Sequence, residues 1–167
     1  MSDGELLASF RSHERWLREA LREAELAGKK DEVPVGAVIV RQDRIIGRGH
    51  NQVETLHDPT AHAEVLAIGA AATAGETWRL DDATLYVTLE PCTMCCGAIL
   101  LARVGRLVFG ATDPRAGAVI STARLLEGNP YRQAVEVVAG IEAAACAELL
   151  SAFFARRRSD PDDRAGT

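Results

Sequence analysis

Two short motifs constrain this chain more than any other feature of its sequence. His62 is followed 30 residues later by Cys92, and Cys95 comes three residues after that. One imidazole and two thiols are ligands that Zn²⁺ binds in proteins, and three protein ligands leave the fourth tetrahedral position open. An open position is typical of a catalytic zinc. The chain must therefore fold so that two distant segments meet at one point.

The residues around both motifs predict that the ligands lie where helices begin. Asp58-Pro59-Thr60 offers an N-cap and a first-turn proline for a helix predicted over Pro59 to Ala74. Pro91 likewise favours a helix that begins there, with Cys92 and Cys95 on one face of its first turn. Helix N-termini lower thiol pKa values and favour the thiolates that zinc requires. Two helix starts can thus converge on one ion.

Glu64 is predicted to act on water and not to bind the metal. It lies two residues after His62, about 200° around an ideal helix, so it is poorly placed as a fellow ligand. Zinc lowers the pKa of bound water from about 9 towards about 7, and Glu64 could take the proton and pass it to a leaving group. A Cys-x-x-Cys alone could be two core thiols, a redox pair or half of a structural zinc site. Together with His62 and Glu64, it favours the catalytic interpretation.

The remaining pattern predicts an α/β domain. Val33 to Val40 and Ile45-Ile46 predict an antiparallel hairpin, because a polar turn separates the two apolar runs. Ala83 to Leu89 and Val104 to Phe109 predict two further strands, each reached through a helix, which implies parallel, right-handed crossovers. The expected product is a three-layer α/β/α domain with a mixed sheet of five strands. Ligands bind beyond the strand ends of such sheets.

The two ends of the chain predict a packing helix and a tail. His13 to Ala27 carries apolar residues at helical intervals, and Gly28 is expected to end that helix. Cys146 lies in an apolar C-terminal helix and is expected in the core. Residues 1–158 are predicted to form one domain. The polar segment 159–167 is predicted to be a disordered tail.

Composition limits the possible partners. A chain of 167 residues with 47% apolar content suffices for one core. Residues 1–10 do not resemble a signal peptide, no apolar run approaches a bilayer span, and four cysteines fit a reducing compartment, so a cytoplasmic protein without membrane contact is expected. The net charge of −5 gives no overall attraction to nucleic acid and favours a small-molecule substrate. RNA binding would need a local basic surface, for which Arg103, Arg106, Arg115 and Arg156-Arg157-Arg158 are candidates.

His62-Ala63-Glu64 followed by Pro91-Cys92-x-x-Cys95 resembles the signature of the zinc-dependent cytidine/deoxycytidylate deaminase superfamily. Within that superfamily the chain is similar to the bacterial tRNA-specific adenosine deaminases over residues 13–158. The segments that carry this similarity are Glu32-Val33-Pro34-Val35-Gly36-Ala37, Asn51, His57-Asp58-Pro59-Thr60-Ala61-His62-Ala63-Glu64, Ala83-Thr84-Leu85-Tyr86-Val87-Thr88-Leu89-Glu90-Pro91-Cys92 and Phe109-Gly110-Ala111.

The resemblance implies a cytidine deaminase-like fold and one Zn²⁺ per subunit held by His62, Cys92 and Cys95. It implies hydrolytic deamination of adenosine to inosine at the wobble position of a tRNA anticodon, with Glu64 transferring protons, in a homodimer. It also assigns substrate contacts to six positions: Asn51, Ala63, Val35, Leu89, Asp113 and Phe154. From the residues alone, Asn51 could be a turn residue, while Val35, Leu89 and Phe154 could be packing residues.

Two segments depart from the pattern of the tRNA enzymes. Ile120-Ser121 stands where Gly-Ser is common, and Arg132-Gln133-Ala134 stands where Asn-His-Arg is common. Both belong to the surface expected to touch the RNA loop, so a deaminase of a free nucleobase or nucleoside, such as guanine or cytosine, is an alternative. A second alternative is a non-catalytic, zinc-stabilised binding module. Cys96 points about 100° away from Cys95 on a helix and is interpreted as a buried structural thiol.

Overall fold

The computed structural model describes residues 2–159, so the predicted tail falls outside it from residue 160 onwards. The described residues form ten elements, which are α1 (Asp3–Lys29), β1 (Gly36–Arg41), β2 (Arg44–His50), α2 (Val53–Leu56), α3 (Ala63–Ala74), β3 (Thr84–Leu89), α4 (Thr93–Leu101), β4 (Arg106–Ala111), β5 (Glu136–Ala139) and α5 (Ala143–Ser159). Within residues 2–159, no helix combines the length and apolar character needed to cross a membrane.

The strands form one mixed sheet in the order β2-β1-β3-β4-β5. β1 is antiparallel to both β2 and β3, whereas β4 is parallel to both β3 and β5. The predicted hairpin, the parallel crossover and the five strands are therefore confirmed. Because β3 and β4 run in the same direction, their carboxyl ends meet at one edge of the sheet.

Alternating side chains cover both faces of the sheet, as expected for a strand buried on two sides. On one face Ala37, Ile39, Leu85 and Val87 join a core with α3 and α4. On the other face the intervening residues meet α1 and the segment before α5, and this second cluster comprises Trp16, Leu17, Ala20, Val38, Val40, Tyr86, Val108 and Ile141. The predicted three-layer α/β/α arrangement is thus observed.

Both ends of α1 and the start of α3 differ from the prediction. α1 begins at Asp3 because Ser2 forms a capping box, in which its hydroxyl accepts the N–H of Glu5 at 3.3 Å and its own N–H donates to the Glu5 carboxylate at 2.7 Å. The helix also runs through Gly28 to Lys29. α3 begins at Ala63 and not at Pro59, so the predicted N-cap at Asp58 is wrong.

One glycine decides how closely the sheet approaches the start of α3. A Cβ added at Gly49 of β2 would lie 2.4 Å from the carbonyl oxygen of Ala63, which is closer than any real side chain sits. Because glycine lacks that carbon, the first turn of α3 rests directly on β2. His62 immediately precedes this turn.

Candidate active site

The structure brings the three predicted metal ligands together. The Sγ atoms of Cys92 and Cys95 each lie 3.6 Å from Nδ1 of His62. The three ligand atoms all lie within 4.8 Å of one another. Zn–N bonds near 2.0–2.1 Å and Zn–S bonds near 2.3 Å at tetrahedral angles give an N···S separation of about 3.6 Å. The group therefore fits a tetrahedral zinc ion with one position left for a non-protein ligand.

Two of the three ligands, His62 and Cys92, occupy helix N-caps, where the backbone is still extended, while Cys95 lies in the first turn of α4. His62 is the N-cap of α3, with φ −76° and ψ 150°, and Cys92 is the N-cap of α4, with φ −76° and ψ 177°. Neither side chain caps its own helix, so both ligand atoms can turn inwards. Asp58 instead closes a local turn, accepting the N–H of Thr60 at 2.8 Å. The convergence of two helix starts is as predicted, although α3 begins four residues later and α4 two residues later than expected.

The three ligand groups share protons with one another. Hydrogen bonds from Cys95 and His62 lower the pKa of Cys92 to about 3. The neighbouring Cys92 sulfur, together with burial, raises the pKa of Cys95. The hydrogen bond to Cys92 raises the pKa of His62 as well. A divalent cation between the three groups would displace the shared protons and stabilise both thiolates.

Glu64 is the second residue of α3 and is only 4% exposed. Burial raises the pKa of its carboxyl group, which therefore holds a proton more readily than an exposed glutamate. The side chain lines the same cavity as His62 and Cys92. A carboxyl group with a raised pKa beside a metal site suits proton transfer.

That cavity has a volume of about 210 Å³. Its lining combines five apolar residues with six polar or charged ones, namely Val33, Val35, Asn51, His62, Ala63, Glu64, Leu89, Glu90, Cys92, Asp113 and Ala116. Apolar walls with a few convergent polar groups are typical of a site for a small molecule or a single group of a larger one. Five of the six predicted substrate contacts lie here, while Cys95 is buried behind the lining.

The sixth predicted contact, Phe154, lies in an adjoining groove of about 400 Å³. This groove shares part of its lining with the cavity, including Leu89 and Asp113, and adds Arg115. Phe154 is 41% exposed, whereas its neighbour Phe153 is 3% exposed and packs inside. The two adjacent aromatic residues therefore have different environments, which sequence periodicity did not distinguish.

Asn51 is fixed by the backbone on either side of it. Its N–H donates to the carbonyl of Val35 at 3.0 Å, and the next N–H, of Gln52, donates to Ala61 at 3.0 Å. The short helix α2 follows, and the buried carboxylate of Glu32 accepts the N–H groups of Glu54 and Thr55, the second at 2.6 Å. α2 and the role of Glu32 were not predicted from the sequence.

The structure also locates Cys96 and the two segments that differ from the pattern of the tRNA enzymes. Cys96 is fully buried and its thiol donates to the carbonyl of Pro91 at 3.8 Å, outside the ligand group. Gln133 donates to the carbonyl of Val104 at 3.3 Å, before β4. It therefore lies at the opposite end of that strand from the cavity. Ile120 lies nearer the site, since its N–H reaches the carboxylate of Glu90 at 2.8 Å.

Comparison with known proteins agrees with this geometry. The family described as "Cytidine and deoxycytidylate deaminase zinc-binding region" matches residues 10–111. The chain belongs to this family. It is a zinc-dependent deaminase, and its His/Cys/Cys group is of the kind that holds the family's metal.

Individual deaminases match most of the chain. It is 48% identical to the tRNA-specific adenosine deaminase of Bacillus subtilis, covering 87% of this chain and 90% of that one. It is 46% identical to the tRNA-specific adenosine deaminase of Haemophilus influenzae, covering 88% of this chain and 86% of that one.

Two solved deaminase structures resemble this chain in shape to different degrees. A tRNA:A34 deaminase, studied for A-to-I editing at the wobble position of transfer RNA, superposes with a TM-score of 0.79 at 46% identity, covering 81% of this chain and 99% of that one. The guanine deaminase of Bacillus subtilis superposes with a TM-score of 0.53 at 34% identity, covering 89% of this chain and 78% of that one.

Proposed function

We propose that this protein converts adenosine to inosine at the wobble position of a tRNA anticodon. The observation that carries the proposal is the tetrahedral spacing of His62, Cys92 and Cys95 beside buried Glu64, at the floor of a cavity sized for one base. High identity to tRNA-specific adenosine deaminases supports the choice of substrate. Residues 1–158 would form the single catalytic domain.

His62, Cys92 and Cys95 would hold one Zn²⁺ per subunit. When bound, the ion acts as a Lewis acid that makes a water molecule nucleophilic at neutral pH. The rest of the reaction depends on the chain. The target adenosine leaves its stack and enters the cavity, as nucleobase deaminases require.

Glu64 would act as the general base and then the general acid. It accepts a proton from the attacking water and delivers it to the ring nitrogen next to C6. It then accepts the proton of the hydroxyl group now on C6 and delivers it to the departing amine, so that water is consumed and ammonia is released. Burial, which raises its pKa, allows Glu64 to hold the proton between these steps. A carboxyl group that must both accept and donate needs such a pKa.

The remaining lining would orient the base. The side-chain amide of Asn51 can donate to and accept from a purine ring, and the main chain at Ala63 lies beside it. Val35 and Leu89 would sandwich the ring between apolar walls. Both line the cavity. Val35 lies just before β1, and Leu89 is the last residue of β3.

The adjoining groove would receive the flanking RNA. Phe154 offers an exposed ring on which a base can stack, and Arg115 offers a charge for a phosphate. Asp113 lies where the groove and the cavity meet and would contact the substrate strand. The overall charge of −5 does not oppose this arrangement, because charges farther away than about 8–10 Å are screened.

We also propose that the protein is a cytoplasmic homodimer. α4 contains no charged residue, and α3 contains only the buried Glu64. A helix that faces water normally carries charge on its outer side, so apolar outer faces favour a covering partner. Leu101, at the end of α4, is 59% exposed. Four free cysteines and a tRNA substrate fit a reducing cytoplasm.

The deciding experiment incubates the zinc-loaded protein with an anticodon stem-loop that has adenosine at the wobble position, and separately with free adenosine, guanine and cytosine. Inosine is expected from the stem-loop. Glu64→Gln should keep the metal and reduce turnover by about 10² to 10⁴, as loss of general acid–base catalysis does. Glu136→Gln, which removes an exposed carboxylate on β5, is the matched control.

A free-base deaminase is the second candidate, because the chain is also 34% identical to a guanine deaminase and the base cavity itself is small. Turnover of a free base with none of the stem-loop would establish it and overturn the proposal. Zinc binding without turnover of any substrate would instead indicate a binding module.

A further inference from the structure

A second buried carboxylate, Glu90, lies beside the active site without an assigned role in the chemistry. It is 2% exposed and sits between the end of β3 and Pro91. Its Oε1 accepts the N–H groups of Val119, Ile120 and Ser121 at 3.2, 2.8 and 2.9 Å. Its Oε2 accepts the N–H of Asp113 at 2.9 Å and the hydroxyl of Ser121.

All five donors belong to one segment, residues 112–122, which we call the cleft loop. The loop follows β4 and contains neither helix nor strand. It is tied to the metal-binding segment at two further points, since the N–H of Ala118 donates to the carbonyl of Pro91 at 2.9 Å and Gly117 bridges to Cys92. Within residues 2–159 no salt bridge involves Glu90, so its negative charge is stabilised by hydrogen bonds from these loop groups.

The cleft loop fits closely around the carboxylate. A Cβ added at Gly117 would lie 2.3 Å from the Glu90 carboxylate and 2.6 Å from the carbonyl oxygen of Asp113. Only glycine allows the loop to approach so closely. The contact is therefore a built feature of the fold and not a chance neighbour on the surface.

The loop in turn supplies one wall of the substrate cleft. Asp113 and Ala116 line both the cavity and the adjoining groove. Two residues after Glu90 along the chain lies Cys92, one of the proposed metal ligands. The Glu90 carboxylate thus connects the segment that holds the metal to the wall that the substrate touches.

We propose that Glu90 is a positioning residue that sets the cleft loop at a fixed distance from the metal group. It acts on the substrate through Asp113 and Ala116. The kinetic part of this inference rests on the proposed function, whereas the loop geometry does not.

Glu90→Gln is the sharpest perturbation, because it keeps the shape and changes the hydrogen bonding. Each carboxylate oxygen accepts at least two donors, so either orientation of the amide places an NH₂ group against N–H donors. The loop should detach locally while α4 and its ligands stay. We expect one zinc per chain, amide exchange at Asp113, Ile120 and Ser121 faster by about tenfold or more, and a KM for the stem-loop raised by about tenfold with kcat nearly unchanged.

Two further variants make the result decisive. Glu136→Gln removes an exposed carboxylate far from the loop and should change neither exchange nor kinetics. Ser121→Ala removes one of the five donors and should give a smaller change in the same direction. If Glu90→Gln fails to fold or loses zinc, Ser121→Ala decides the matter by the same two measurements.

The proposal is overturned if the loop amides of the variant exchange as in the unmodified protein, or if kcat falls while KM is unchanged. Failure of the proposed function would look different. The unmodified protein would then not deaminate the stem-loop, yet the exchange rates of the loop amides would still respond to Glu90→Gln, and the KM comparison would be made with the free base that is turned over.

Discussion

Replacing Gly49 with alanine tests whether the metal site depends on the close approach of β2 to α3. The new Cβ would lie 2.4 Å from the carbonyl oxygen of Ala63, and ordinary contact begins near 3.4 Å, so the two backbones must separate by about 1 Å. Overpacking of this kind costs about 1–3 kcal/mol. For a chain of this length that lowers the Tm by about 2–12 °C.

The same displacement reaches the metal, because His62 immediately precedes the first turn of α3. Metal–ligand distances tolerate only about 0.2 Å, so a shift of this size should lower zinc affinity by about 10- to 100-fold. Gly69→Ala is the matched control on α3 itself, since a Cβ there meets nothing within 4 Å. Alanine at that helical position should stabilise the protein by about 0.5–1 kcal/mol.

The assay has two parts. Thermal unfolding is followed with zinc and with a chelator, because bound metal adds its own stabilisation. Zinc affinity is measured by competition with a chromophoric chelator. If Gly49→Ala binds zinc and unfolds like the unmodified protein, the contact between β2 and α3 does not position His62.

Two other predictions concern different faces of the molecule. Leu101→Glu should convert the proposed homodimer to a monomer while zinc content is retained, as measured by light scattering after size-exclusion chromatography; a monomeric unmodified protein would contradict the proposal. Burial, assisted by Arg106, lowers the pKa of His13 below its ordinary 6.5, and its Nδ1 lies 3.0 Å from the Tyr86 hydroxyl. Since the unfolded chain binds the proton more readily, stability is fully present well above pH 6.5 and declines as the pH falls through 6.5 towards the lower pKa of the folded protein. The urea midpoint of the unmodified protein should decline between about pH 7.5 and pH 5.5. The decline should be smaller in His13→Asn, which lacks the titrating imidazole.

Much of the fold could be predicted because its pattern is local. The apolar runs that become β1, β3 and β4 are visible in the sequence, and the helices between them dictate the parallel crossover. Helix boundaries were harder to predict. Asp58-Pro59 has the composition of a helix start, but its carboxylate closes a turn with Thr60 instead, and α3 begins only where it can rest on β2. α2 is too short for any periodic signal to show.

The sequence by itself determined the chemistry, because an imidazole, two thiols and a carboxylate at fixed spacing allow few alternatives. Only the tertiary structure decided what surrounds that chemistry. The contacts of Glu32 and Glu90 join residues more than twenty positions apart, and Phe153 and Phe154 differ only in which side of α5 faces the protein. Such roles depend on three-dimensional neighbours, which no local pattern of residues encodes.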